Sequence, residues 1–315
     1  MYLYLRHSQQ INSSIKMIGG IDSGVLPSQI IRQFIQKKVI FSKTKIEPSQ
    51  IQPSTLDVRA GDNAWRVPAS FIIEDGKNMK DKLNELKQGV YHLDLRNETF
   101  LESGKTYVIE LLEELNLPNS VGARSNPKSS AGRVDVFVRV LTEHGKTFDE
   151  VPYGYKGKLY LMVSPMSFDL VIKKGVALNQ IRFFTGKDFI LTSNELKLLY
   201  QQDPLLYTKS ETSIPLEKAN ITENGIFLSL DLDEEIVGYM AKKNAMPITL
   251  TKKGFHQWQE FWEAIPKPKS SRLILDPQYF YILKSKEKFM VPLEYSSEMS
   301  AFHSWVGEFR SHYAG

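Results

Sequence analysis

The chain has 315 residues, 40 lysines and arginines against 36 acids, a formal charge of +4, and no cysteine. Near-balanced charge argues against a general nucleic-acid binder and suits a local cationic pocket, while the lack of cysteine excludes disulfides and any zinc site built on thiolates. No apolar run approaches a membrane span, and the opening Met1-Tyr-Leu-Tyr-Leu-Arg6 is too short and polar-interrupted for a secretory signal, so a cytoplasmic protein without a membrane or nucleic-acid partner is expected.

Residues 1–23 read as a poorly ordered N-terminal extension. After Pro27, Ile30, Ile31, Phe34 and Ile35 fall on one face of a helix over 28–38, with Ser28 as its N-cap. Strand-like stretches follow at 54–58 and around 64–72, then a short amphipathic helix over 80–87. From Tyr91 to Phe184 short apolar runs are broken by Gly, Pro and Asn, the spacing of an all-β jelly roll or distorted barrel. A helix over 195–206 and a polar link at 213–224 lead into the second half. There Trp258, Phe261 and Trp262 stand at helical spacing and read as a packing face. His7, His92, His144, His256, His303 and His312 show no metal-ligand spacing.

The stretch with most chemistry is Asn126-Pro-Lys-Ser-Ser-Ala-Gly-Arg133, which runs into Val134, Val136, Val138 and Val140 alternating with Asp135, Phe137 and Arg139. Alternating β-branched residues predict a half-buried strand. The turn before it places Lys128, Arg133 and the hydroxyls of Ser129 and Ser130 together, with backbone N–H groups released by Gly132. Two readings stand: a phosphate cradle, or a solvated turn that happens to be basic.

Lys128-Ser-Ser-Ala-Gly-Arg-Val134 resembles the Arg-Ser-Ser-Leu-Ala-Arg-Leu-Gly motif of the dCTP deaminases, members of the trimeric dUTPase-like superfamily. Four further stretches fall in the family's order: Ile51-Gln-Pro-Ser-Thr-Leu-Asp-Val-Arg-Ala-Gly61, Leu115-Asn-Leu-Pro118, Tyr153-Gly-Tyr-Lys-Gly157 and Gly175-Val-Ala-Leu-Asn-Gln-Ile-Arg-Phe183. The resemblance implies a mainly β, dUTPase-like distorted barrel with a few short helices. It implies conversion of dCTP and water to dUTP and ammonia, in the supply of dUMP and dTTP. It assigns Lys128, Ser129, Ser130, Arg133 and Gln180 to the nucleotide and its triphosphate. It brings Mg2+ with that triphosphate, no zinc or other protein-bound metal, and a homo-oligomer of trimer type.

The second half repeats the first. Asp231 lies 174 residues after Asp57 (231 minus 57), and Tyr281 and Pro292 follow Tyr107 and Pro118 by the same interval. The chain therefore resembles the double-length bacterial form, with one β domain over 24–210 and an incomplete second repeat over 211–315. Phe309 would match Phe137, and nothing would match residues beyond about 141, so a truncated or split protein is expected.

The catalytic position is where the sequence departs from the family. Aligned on Gly157 and Ser164, the family's strand glutamate, its general base, falls on Met162, and a thioether accepts no proton at neutral pH. Glu143, Asp149 and Glu150 are the substitutes within reach in sequence, and Met162→Glu is expected to restore a base. The dUTPase variant of the chemistry wants an Asp where Pro152 stands, and Arg139 replaces a frequent histidine. Two functions follow: a dCTP deaminase, or a catalytically inactive nucleotide-binding or assembly module of the same family.

Overall fold

The structure, a computed structural model, describes residues 2–7, 23–186 and 190–300. In chain order the elements begin with β1 (Tyr2–His7), β2 (Gly24–Val25), α1 (Ser28–Gln36), β3 (Ile40–Ser42), β4 (Leu56–Val67), α2 (Met79–Leu86), β5 (Tyr91–Asp94) and β6 (Thr99–Leu101). They continue through β7 (Thr106–Asn116), β8 (Val121–Pro127), the single turn α3 (Ser129–Gly132), β9 (Val136–Thr142), β10 (Glu150–Val151), β11 (Lys156–Pro165), β12 (Leu170–Ile172) and β13 (Ala177–Thr185). The second half contains α4 (Ser193–Gln202), β14 (Leu206–Tyr207), β15 (Ile221–Thr222), β16 (Gly225–Phe227), β17 (Ile236–Ala241), β18 (Ile248–Thr249), β19 (Trp262–Pro266), β20 (Tyr281–Leu283), β21 (Lys288–Phe289) and β22 (Tyr295–Ser300). The fold is mainly β, as expected.

Contacts divide the chain into two compact units. Among the described residues one consists of 26–186 with 242–261; the other of 2–7, 23–25, 190–241 and 262–300.

The first unit is the barrel. Its large sheet runs β10-β8-β13-β4-β7-β11-β9, with β3 added to β7 and β5 to β4. The two expected strands at 54–58 and 64–72 are one twelve-residue strand, β4, because a bulge between Ala60 and Ala64 lets it pair with β13 first and then with β5 and β7. Gly61 permits that bend: a Cβ there would stand 2.8 Å from the Glu110 carbonyl oxygen. Asp149 staples the seam between β8 and β9. Its N–H donates to Val140 O (3.0 Å), its carbonyl accepts from Ser125 N (2.9 Å), and its Oδ1 accepts from Val140 N (2.7 Å) and Ser125 Oγ (2.9 Å). Leu56, Ile109, Leu115 and Phe183 fill the interior, and α1 buries Ile30, Ile31 and Phe34. Ser28 is the first residue of α1; Pro27 is its N-cap, and no side chain caps it.

A covering segment, residues 68–90, lies over one face of the barrel and carries Ile73 and Met79 into an apolar cluster with Val67, Val108, Leu141, Tyr160 and Met162. Its helix α2 is capped reciprocally by Asn78 and Asp81. Outside the cluster the segment is held by Glu74, Lys77, Lys82 and Glu85; Lys82 Nζ stands 2.8 Å from Glu74 and 3.4 Å from Glu85. Hydrogen bonds from Lys82 and Lys77 hold the Glu74 carboxyl down to about 2. A depressed carboxylate contributes stability above its ordinary pKa and loses it as pH falls towards the folded value. Loosening of the cover, read from the near-ultraviolet signal of Trp65 beneath it, is expected between about pH 5 and 2, and Glu74→Gln should flatten that transition. These groups are exposed, so salt should reproduce part of the effect at neutral pH.

The second unit corrects two expectations. Residues 2–7 are not a loose extension: β1 pairs with β22 from Tyr2↔Ser300 to His7↔Tyr295 and with β16 on its other side, in a sheet ordered β15-β16-β1-β22. Leu3 and Leu5 are buried there with Leu196, Tyr200, Ile226 and Leu228. The 174-residue interval predicts a strand before Asp231 like the one before Asp57; that stretch is not a strand, and only Leu230 forms a bridge, to Ser285. In the first unit the helical spacing around Trp258 is a 3-10 turn over 258–260, and β19 follows it in sequence. Phe261 is nonetheless a packing residue, edge-on to Phe168 at 5.9 Å within the first unit.

The internal repeat is visible in the strand register. Gly238, Tyr239 and Met240 of β17 face Leu283, Ile282 and Tyr281 of β20. Ala64, Trp65 and Arg66 of β4 face Ile109, Val108 and Tyr107 of β7. Every residue of the first set lies 174 positions after its counterpart in the second. The expected strand at Phe309 lies outside the described residues.

Candidate functional site

The turn predicted to hold phosphate is assembled by three strands. β13 runs between β4 and β8, and its Gln180 stands opposite Asp57 on one side and Asn126 on the other. Lys128, at the end of β8, donates its N–H to Leu178 O (3.0 Å) and sends its ammonium to Asp57 Oδ2. Thr55 Oγ1 donates to Gln180 Oε1 at 3.0 Å, which leaves the Gln180 amide N–H groups outside that bond. Lys128 and Gln180, 52 residues apart in sequence (180 minus 128), are thus both neighbours of Asp57, one through a side-chain bond and the other through strand register. Ser129, Ser130 and Arg133 lie on the single turn that follows; Ser129 is half-buried, and Ser130 and Arg133 are exposed.

The turn differs from the expected cradle in its backbone. The N–H groups of Ala131 and Gly132 donate to Lys128 O (2.9 and 3.0 Å), and that of Arg133 donates to Ser129 O (2.9 Å). They are consumed by the helical turn, so the N–H groups at Gly132 form no glycine-released nest. The strand after it begins at Val136. Asp135 is fully buried at φ +53°, and its Oδ2 accepts from Ser167 Oγ at 2.5 Å. It turns the chain into β9 and does not alternate outward.

Met162 sits in β11 opposite Val108 of β7 and Arg139 of β9, 4% exposed within the apolar cluster under the covering segment. The side chains expected to substitute for a base there are occupied otherwise. Asp149 closes the barrel seam and binds Arg139 Nε; burial pushes its carboxyl up, against the pull of Arg139 and its donors. Glu150 is exposed and accepts from Thr147 Oγ1 (2.9 Å). Glu143 accepts from Tyr160 OH (3.3 Å) beside a tyrosine pair, Tyr155 and Tyr160, whose hydroxyls burial pushes upward. Arg139 stacks its guanidinium over Phe148, 5.4 Å from the ring centre. Among the described residues no three His, Asp or Glu side chains form a group that could hold a metal ion.

Two features escaped the sequence reading. One is the Asp57–Lys128 bond, which links residues 71 positions apart. The other is a buried polar knot at the root of the same strand. Glu113, fully buried, accepts from Arg59 Nε (2.7 Å), Arg59 N (2.7 Å) and Gln50 Nε2 (3.0 Å), while Arg59 also donates to Lys45 O and Thr44 O. It ties the loop before β4 to β7 and so fixes where Asp57 stands. Only the Asp-Val-Arg order in the motif hinted at it.

Residues 22–187 match the family described as the 2'-deoxycytidine 5'-triphosphate deaminase (DCD) N-terminal domain, and residues 192–315 match its C-terminal domain. The dUMP-forming dCTP deaminase of Methanosphaerula palustris is 29% identical over 143 residues, 44% of this chain and 69% of that protein. The dUMP-forming dCTP deaminase of Dictyoglomus turgidum is 24% identical over 164 residues, 51% of this chain and 79% of that protein. The crystal structure of 2'-deoxycytidine 5'-triphosphate deaminase from Agrobacterium tumefaciens superposes with a TM-score of 0.78 at 37% identity, over 86% of this chain and 76% of that one. The order of motifs, the barrel and the two successive domain matches agree: this chain belongs to the dCTP deaminase family.

Proposed function

We propose that the protein handles dCTP as a deaminase of this family, with the triphosphate against Lys128, Ser129, Ser130 and Arg133 and with Gln180 beside it. The observation that carries this reading is the bond from Lys128 to Asp57 at the start of the basic turn, with Gln180 opposite Asp57 in the strand register. In the overall reaction water replaces the amino group at C4, giving dUTP and ammonia. Mg2+ would accompany the triphosphate. The carboxylate that meets the turn is Asp57, whose Oδ1 is buried without a hydrogen-bond partner and could face such an ion. The same proposal includes a cytoplasmic location and a homo-oligomer, which light scattering would register as a multiple of the chain mass.

A second reading has its own observation: Met162 is packed as core, so the first unit contains no base on that strand. A nucleotide-binding module without turnover would look the same at the basic turn. Purified protein with dCTP separates the two readings through ammonia release, and chromatography of the nucleotide tells dUTP from dUMP as product. Binding without ammonia selects the second reading.

Lys128→Ala with Arg133→Ala is expected to weaken dCTP binding by several kcal/mol, since each charge-assisted bond contributes roughly 1.5–3 kcal/mol. Unchanged affinity by calorimetry would remove the turn from the site.

A further inference from the structure

Gln180 is tied down at one end of its amide only. Among the described residues its side chain makes one hydrogen bond, accepted by Oε1 from Thr55 Oγ1 at 3.0 Å, and Nε2 makes none. An amide held through its carbonyl keeps both N–H donors for another partner. Gln180 is half-buried, opposite Asp57 on β4 and Asn126 on β8. Asp57 does not take those donors: Lys128 holds its Oδ2, and its Oδ1 is buried without a hydrogen-bond partner.

Thr55 is itself placed by the backbone around it. Its carbonyl accepts from Gln52 N (2.9 Å), Ile51 bridges to Leu56, and Pro53 O accepts from Ser28 N (2.8 Å) at the start of α1. This closed turn delivers the chain into β4, which begins one residue after Thr55. A β-branched side chain on such a backbone has few rotamers to lose, so its hydroxyl meets Gln180 at little entropic cost.

We infer that Thr55 is a positioning residue for the nucleotide. By occupying Gln180 Oε1 it leaves Nε2 to face the ligand as a donor, and so selects a ligand that presents acceptor oxygens there, as phosphates and the pyrimidine carbonyl do. This rests on the functional reading above. With the amide reversed, Oε1 would stand acceptor to acceptor against those oxygens, in the strand position opposite the Asp57 carboxylate. The cations of the basic turn attract an anion in any orientation; a held amide adds direction.

The test titrates the full chain with dCTP by calorimetry. Thr55→Val keeps the branched shape without the hydroxyl and is expected to weaken binding about three- to tenfold, the worth of one neutral hydrogen bond. Thr55→Ser should restore it. Gln180→Ala should weaken binding at least as much, and in that background Thr55→Val should change nothing further, because the hydroxyl acts through the amide. An unaltered chain that binds no dCTP removes the functional reading, and this inference with it. An unaltered chain that binds while Thr55→Val matches it, or while the losses from Thr55→Val and Gln180→Ala simply add, leaves that reading standing and overturns the role of Thr55.

Discussion

Met162→Glu is expected to destabilise the first unit by about 3–4 kcal/mol at neutral pH and to confer no dCTP turnover. The sequence comparison alone pointed the other way, towards a restored base. The structure changes the expectation because the side chain lies 4% exposed among Val67, Ile73, Met79, Val108 and Leu141. A carboxylate there must either remain charged in apolar surroundings or take up a proton far above its ordinary pKa. Since burial raises the folded-state pKa, the penalty should shrink as pH falls towards the unfolded value and grow as pH rises. Met162→Leu conserves volume and should cost less than about 1.5 kcal/mol, so urea denaturation of the two variants separates charge from shape. A stable, active Met162→Glu protein would mean that the covering segment is open in solution.

Glu113→Ala should cost about 3–5 kcal/mol, because it strands the buried Arg59 guanidinium and leaves the Arg59 and Gln50 N–H groups without their acceptor. The double variant Glu113→Leu with Arg59→Met should recover much of that loss, since removing both charges removes the uncompensated one. Thermal unfolding gives the ordering. A further readout separates anchoring from bulk stability: the double variant should still bind dCTP more weakly, because Asp57 follows Gln50 and Arg59 in position. Its backbone carbonyl accepts from Gln50 Nε2 at 2.9 Å.

Much of this molecule was legible because its signals are local or periodic. The Ile30–Phe34 face, the alternating valines of β9 and the 174-residue interval each lie within a short window or repeat at one spacing. Five candidate site residues were also named before their positions were known, since a motif preserves residue types in order. What stayed hidden depends on distant pairing. Lys128 facing Asp57 and Asp149 closing the β8–β9 seam follow from strand order, which sequence periodicity does not specify. The continuous β4 was split in two because its bulge breaks the alternation at Gly61. β1 was missed because four apolar and aromatic residues followed by Arg6, His7 and an unpatterned stretch resemble a tail; only their partners, nearly 300 residues later, make them a strand.

That last pairing bears on how the protein is made. Arg6 binds Glu298 across 292 residues of chain, and β1 lies between β22 and β16. At roughly 5–20 residues per second, β1 waits some 15–60 s on the ribosome's far side before its partners emerge. Residues 26–186 can meanwhile begin to form the barrel, while an apolar segment at the very start of the chain stays uncovered. Fusion of a bulky tag directly to Met1, or slow translation through the second half, should therefore lower soluble yield more than equivalent changes elsewhere.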